Sequence, residues 1–135
     1  MAGYSGTPLP KKLGIKEGSS VLADNAPKGF RDLLEPWPKA ATLAIKPKGI
    51  YDVIISFHRN IEEYEDRFRS LIKHLEDRGG LWIAWPKKTS KLYKEGLHEN
   101  AIRDIGLTTG LVDNKVCAID NDWSGLRFVR RLQPK

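Results

Sequence analysis

The sequence predicts one α/β domain built on a single, mostly parallel sheet with helices on both faces, a three-layer arrangement. Three observations carry that expectation. Short apolar runs alternate along the chain with segments of helical periodicity, the pattern of strands joined by crossover helices. Three of the runs, SVLAD (20–24), DVIISF (52–57) and LWIAW (81–85), consist mainly of apolar residues, as strands covered on both faces do. The last two runs, 115–119 and 126–131, are separated by a short turn around Asn121 and Asp122, too short for a crossover. The final strand therefore runs antiparallel to the one before it.

Each element has its own local reason. Residues 1–18 are rich in Gly, Pro and Lys and read as a basic N-terminal arm, with room for a short helix over 8–13 ended by Gly14. The domain proper then covers 19–135. After the first strand comes the turn Asn25-Ala26-Pro27-Lys28-Gly29, and a short helix over 30–34 stopped by Pro36 and Pro38. A second strand fits 42–45, closed by Pro47 and Gly49. The third strand, 52–57, leads to the longest helix. Asn60 and Glu63 have the spacing of a capping box. Ile61, Tyr64, Phe68, Leu71, Ile72 and Leu75 form its apolar stripe, and Gly79-Gly80 are read as its end. Pro86 closes the 81–85 strand, and a loop with Lys87, Lys88, Lys91 and Lys94 follows. A helix over 97–105 places Leu97, Ala101, Ile102 and Ile105 on one face, with Gly106 and Gly110 marking its end.

Composition narrows the class. A chain of 135 residues buries one core without crosslinks. Hydrophobic residues make up 40% and charged residues 30%, which excludes disordered and membrane-embedded classes. The apolar runs are too short to span a bilayer, and the first residues lack a signal-peptide pattern. A lone cysteine, Cys117, forms no internal disulfide, which points to a reducing cytosol. The net charge of +6 permits a polyanionic partner, but there is no run of five like charges, and a solvated basic surface accounts for it. His58, His74 and His98 are far apart and no His pair has ligand spacing, so no metal is expected. Neither Ser5 nor Ser124 has a visible base partner, so a nucleophilic triad is not supported.

Residues 51–132 run as a D-V-I strand, a long helix, a G-G-L-W-I strand, a helix and two last strands, the final one antiparallel. That succession resembles the closing half of the class I methyltransferase sheet, so the resemblance implies a Rossmann-like domain of truncated methyltransferase-like topology. A more specific likeness covers nearly the whole chain. It rests on the segments 3–9 (GYSGTPL), 11–16 (KKLGIK), 84–88 (AWPKK), 110–120 (GLVDNKVCAID) and 123–127 (WSGLR). These resemble a bacterial family catalogued as domain of unknown function 3052. The likeness implies a bacterial cytosolic protein and no particular activity. The methyltransferase likeness implies a glycine-rich turn after the first strand, where the cofactor approaches the backbone. Here that turn has Pro27 and Lys28 and one glycine, Gly29, and no Gly-x-Gly-x-x-Gly pattern is present. Lys46 stands near the place where an acidic residue would hold ribose hydroxyls. Binding of S-adenosylmethionine is therefore not expected.

In open α/β sheets ligands bind at the carboxyl ends of strands where the strand order reverses. On this plan the reversal lies between the 20–24 and 52–57 strands, and three loops meet there: 25–29, 58–60 and 86–88. Lys28, Arg59, Lys87 and Lys88 suit a phosphate or carboxylate. Asn25 and Gly29 shape the first turn, Asn60 opens a helix whose free N–H groups favour an anion, and Trp85 offers a flat surface. His58 is the histidine at this edge, with the chemistry of a general base, but no residue is assigned a catalytic role. The expectation is a non-catalytic module for an anionic or nucleotide-like small molecule. Two alternatives stand beside it. One is a degenerate S-adenosylmethionine-dependent enzyme. The other is an interaction protein using Lys11, Lys12 and Lys16 of its arm on nucleic acid or an assembly. Trp123 either helps to shape the last hairpin or is an exposed anchor for a partner. Nothing in the sequence sets an oligomeric state.

Overall fold

Six strands form one sheet in the order β2-β1-β3-β4-β6-β5. In this computed structural model, which describes residues 7–93 and 97–131, they are β1 Ser20–Asp24, β2 Thr42–Ala44, β3 Tyr51–Phe57, β4 Leu75–Pro86, β5 Leu111–Ala118 and β6 Trp123–Arg130. The first four are parallel. The last, β6, lies between β4 and β5 and runs antiparallel to both. The fold is the expected α/β one, with a mostly parallel sheet and an antiparallel C-terminal strand.

Alternation along the strands builds two cores. On one face Leu22, Ile54, Leu81, Ile83, Trp85, Leu126 and Phe128 meet α2 (Ile61–Ile72) and α3 (Glu99–Leu107) through Tyr64, Phe68, Leu71 and Ile102. On the other, Val21, Val53, Ile55, Phe57, Trp82 and Trp123 meet Leu13 and Ile15, just beyond α1 (Leu9–Lys12), and the 3₁₀ turn Phe30–Leu33. The segment before β1 is part of this layer, because Leu13 is fully buried and the Trp82 indole donates to its carbonyl at 3.0 Å. Among the described residues no helix is long and apolar enough to cross a membrane.

Two glycine assignments change. The long helix ends at Ile72, and Gly79-Gly80 lie inside β4. Their role is close approach. A Cβ on Gly79 would meet the Asp52 carbonyl oxygen at 2.6 Å, and one on Gly80 would meet Arg127 Nε at 2.2 Å. Gly106 likewise sits within α3, where a Cβ would lie 2.2 Å from the buried Phe128 ring. Strand β5 also starts earlier than its apolar run suggests, at Leu111, because its half-exposed residues pair with β6 regardless of polarity.

The link from β2 to β3 positions the site. Parallel strands are normally joined through a crossover of about a dozen residues or more, usually a helix. Here residues 45–50 make the whole connection. Among the described residues no crossover helix covers β1 and β2 on the α2 side, so the carboxyl ends of β1 and β3 open beside α2.

Gly106→Ala tests the packing reading. Helix propensity alone favours alanine by about 1 kcal/mol. The clash with Phe128 reverses the sign, and a net loss of about 1–3 kcal/mol is expected in urea unfolding.

Candidate functional site

The strand order reverses at β1, with β2 on one side and β3 on the other. Asp24, the last residue of β1, shares a face with Leu22 and points toward α2. Its carboxylate takes both arms of the Arg67 guanidinium, from Nε at 2.9 Å and Nη2 at 2.5 Å. Ser56 Oγ donates to the same carboxylate at 2.8 Å. Ser56 lies in β3 and His58 just past its end, two residues on, and Ser56 Oγ lies 2.6 Å from His58 Nε2. The other ring nitrogen, Nδ1, lies 3.0 Å from Glu63 Oε1. Asn25 takes a left-handed backbone (φ 56°), which asparagine tolerates. From there its amide donates to the Phe57 carbonyl at 2.6 Å and to Glu63 at 3.1 Å. Asn60 caps α2 by accepting from the Glu63 N–H at 2.9 Å. These contacts frame a cleft of about 540 Å³ lined by Asp24, Asn25, His58, Glu63, Asp66, Arg67 and Ser70.

The electrostatics are set by burial and pairing together. Burial alone would raise the Asp24 carboxyl, but the bonds from Arg67 and Ser56 outweigh it and hold the group below its usual range. Burial lowers His58 below its ordinary 6.5, and the Glu63 and Asp24 carboxylates only partly offset this. A proton count explains the tension. The contacts from Asp24 through Ser56 and His58 to Glu63 need three protons, one per contact. A neutral imidazole and one hydroxyl supply two. The neutral ring therefore leaves one contact without a proton, and protonation of His58 would complete the chain.

Ser56, His58 and Glu63 stand in the order of nucleophile, base and orienting carboxylate. Ser56 is nevertheless fully buried, and its hydroxyl is engaged by Asp24. The network joins β1, β3 and α2, and the hydroxyl donates to Asp24 and not to the imidazole.

The sequence-expected residues separate into groups. Asn25 and His58 line the cleft. Lys28, Gly29 and Arg59 are exposed on the loops that frame it, and Asn60 serves as the cap. Trp85 and Lys88 line a different cleft, about 520 Å³, with Pro86, Tyr93 and His98 at the start of α3. The Lys87 N–H donates to the Asp122 carbonyl at 2.8 Å, which ties the third loop to the β5–β6 turn. That loop does not join the other two. Trp123 is buried, 3% exposed, and meets the Phe57 ring edge-on at 5.1 Å. It is a core residue beside the hairpin turn, not an exposed anchor. Cys117 is half-buried, and burial pushes its thiol up. Among the described residues no group of three acidic, histidine or cysteine side chains is placed to hold a metal.

Sequence reasoning missed Asp24, Ser56, Glu63, Asp66, Arg67 and Ser70. Part of the signal was there. Asp24 and Ser56 are polar residues in largely apolar strands, His58 follows Ser56 by two residues just past the strand end, and Glu63 and Arg67 are four apart on one helix.

A family model for proteins of unknown function, DUF3052, matches residues 11–132. The chain belongs to the DUF3052 family. No curated protein matches it. Among solved structures, this DUF3052 chain is similar to an S-adenosylmethionine-dependent methyltransferase from Aquifex aeolicus, with 14% identity and TM-score 0.65 over 87% of this chain and 85% of the other. It is also similar to the magnesium protoporphyrin IX methyltransferase of Synechocystis, solved with bound S-adenosylhomocysteine, at 15% identity and TM-score 0.59 over 85% and 75%. A methyltransferase from Pyrococcus furiosus aligns at 16% identity and TM-score 0.56 over 92% and 80%. These likenesses establish a Rossmann-like methyltransferase fold for this DUF3052 chain.

Two measurements follow from the network. Asp24→Asn should lose about 1.5–3 kcal/mol at pH 7, toward the lower end because Arg67, 39% exposed, regains water. Asp24 has a depressed folded pKa, so its contribution is present above the unfolded value of 3.8 and fades as pH falls through the folded one. The gap between wild type and variant in urea unfolding should close in strong acid. His58 is also depressed, so the unfolded chain binds its proton first, and this group lowers stability as pH falls below 6.5. Nitrogen NMR of the imidazole should show a neutral ring at pH 6.5, and Glu63→Gln should lower its midpoint further.

Proposed function

We propose that this chain is a non-catalytic binding module whose ligand, small and nucleotide-like, sits in the switch-point cleft. The observation that supports this most is the division of polarity there. Inside the cleft, Glu63 is 42% exposed and Asp66 is exposed, so both present acceptors to a ligand that donates from hydroxyls or an amine. On the loops outside, Lys28 and Arg59 are exposed and suit a phosphate or carboxylate. A nucleotide or a phosphorylated sugar carries both kinds of group. The reading without catalysis rests on Ser56 being sealed and on the buried His58 ring standing between Ser56 and Glu63.

A panel of nucleotides and phosphorylated sugars, read by melting temperature and isothermal titration, tests the reading. At least one should raise the melting temperature, and the double variant Lys28→Ala, Arg59→Ala should weaken it about 10-fold, as for two charge-assisted contacts. Silence across the panel at millimolar concentration ends the proposal.

One observation favours a second reading, a degenerate methyltransferase. The turn after β1 has two left-handed positions, Asn25 and Gly29, a backbone conformation that a glycine-rich turn also supplies. The side chains argue the other way. Pro27 donates no N–H, Asp24 is committed to Arg67 and Ser56, and the chain after β2 offers exposed Ile45 and then Lys46, with no carboxylate. These residues do not fit S-adenosylmethionine. Titration with that compound should give no heat, and a saturable heat would establish the second reading instead.

A further inference from the structure

The opposite end of the sheet holds a guanidinium with almost no partner. Arg127 on β6 stands across from Trp82 in the ladder, so its side chain leaves on the Trp82 face. It then lies over Gly80, where a Cβ would come within 2.2 Å of Nε and 2.7 Å of Cζ. The missing side chain of Gly80 is the seat of the guanidinium. Its hydrogen bond, from Nη1 to Asn114 Oδ1, is 3.4 Å long and therefore weak. Among the described residues no carboxylate lies within ion-pairing distance of it. Burial pulls its pKa down with no opposing contribution. A half-buried cation without a counter-charge is costly, and an anion would relieve that cost.

Arg127 lines a pocket of about 360 Å³ with Lys16, Arg78, Gly14, Ser19 and Asp52 among its walls. Lys16 and Arg78 are exposed and form no ion pair among the described residues. Two carboxylates share the pocket, those of Glu17 and Asp52. Asp52 accepts from the Ser20 N–H at 2.9 Å, and the three cations, Lys16, Arg78 and Arg127, outnumber the two carboxylates. Ser19 Oγ accepts from the Lys16 N–H at 2.9 Å, which holds the loop over the sheet. The segments that the sequence sets apart, 11–16, 110–120 and 123–127, send Lys16, Asn114 and Arg127 to this place. None of these residues lines the switch-point cleft.

We infer that this pocket is an oxyanion site for the phosphate group of a small phosphorylated molecule, with Arg127 as the planar fork, Gly80 as its seat, and Lys16 and Arg78 as flanking charges. A guanidinium matches phosphate through paired N–H donors, which an ammonium does not. The volume suits a small molecule and not a large cofactor. The site is independent of the switch-point cleft, at the other end of the strands.

The test follows the side-chain Nε–H signals of the arginines in the full chain by NMR, titrated with inorganic pyrophosphate. The Arg127 signal should shift and saturate, while the backbone signals of Asn25 and His58 stay in place. Arg127→Lys, which keeps the charge and loses the fork, should weaken binding about 10-fold. Arg78→Ala and Lys16→Ala change exposed residues, leave the fold intact, and should each weaken it about threefold. The inference is overturned by an unmoved Arg127 signal at millimolar pyrophosphate, or by undiminished affinity in Arg78→Ala and Lys16→Ala. A single-stranded RNA oligomer provides the remaining arm. If it binds far more tightly than pyrophosphate, with affinity falling steeply in salt, the surface belongs to a nucleic-acid backbone and the small-molecule site is rejected.

Discussion

The Asp24 carboxylate stands at the end of a buried strand with both oxygens held by one guanidinium fork from α2. Much of the site depends on that pair. The connection from β2 to β3 is too short to carry a helix, so the carboxyl end of β1 is tied to the helical layer by side chains, through the Asp24–Arg67 pair and the weaker Asn25–Glu63 bond. Arg67 reaches across from α2, and it brings Glu63, one turn earlier, over His58. Once Asp24 is ionised and paired, Ser56 has a fixed acceptor, and the imidazole is held between a hydroxyl and a carboxylate. A buried pair of this kind contributes less to net stability than to specifying one arrangement, because desolvation offsets much of the attraction.

The same constraint decides the chemistry at the switch point. A serine, a histidine and a carboxylate in reach of one another suggest catalysis by their order alone. Burial argues against it, since the hydroxyl that would attack is sealed and already engaged. What remains accessible is the outer side of the network, the acceptors of Glu63 and Asp66. At the other end of the sheet the balance is reversed. Arg127 lacks the counter-charge that Arg67 has, and the glycine beneath it exists to make room for it. The two ends of one sheet thus differ in balance: the switch-point cleft offers the acceptors of Glu63 and Asp66, while the other pocket holds three cations to two carboxylates.

The fold was legible in the sequence wherever burial imposes a period. The nearly apolar strands and the amphipathic stripe of α2 report burial directly, and the short final connection leaves no choice but an antiparallel strand. Glycine was the least legible residue. Gly79, Gly80 and Gly106 looked like stops, whereas each is a place where another atom comes too close for a Cβ. A glycine that ends a helix and one that admits a neighbour are the same letter, and only the neighbour distinguishes them. The candidate site was half legible. Its place at the reversal of strand order and the Asn60 cap followed from pattern, whereas the bonds that Asn25 and His58 make did not. Asp24 and Arg67 did not, because the bonds that define their roles span 32 and 43 residues of chain, nor did the bond from Asn25 to Glu63, which spans 38.

By itself, the sequence determined the layers, the strand directions and the end of the sheet where a cleft opens, because each of these is set by local periodicity and connection length. Only the tertiary structure decided the balance of charge that each end offers. A charged side chain is available to a ligand only if no partner has neutralised it, and the partner of Arg67 and the lack of one for Arg127 are facts of long-range packing. The lysines and arginines that looked alike along the chain therefore divide into those spent on carboxylates, such as Arg67 and Arg103, several that are merely solvated, and Arg127, which is half-buried with no carboxylate in reach among the described residues.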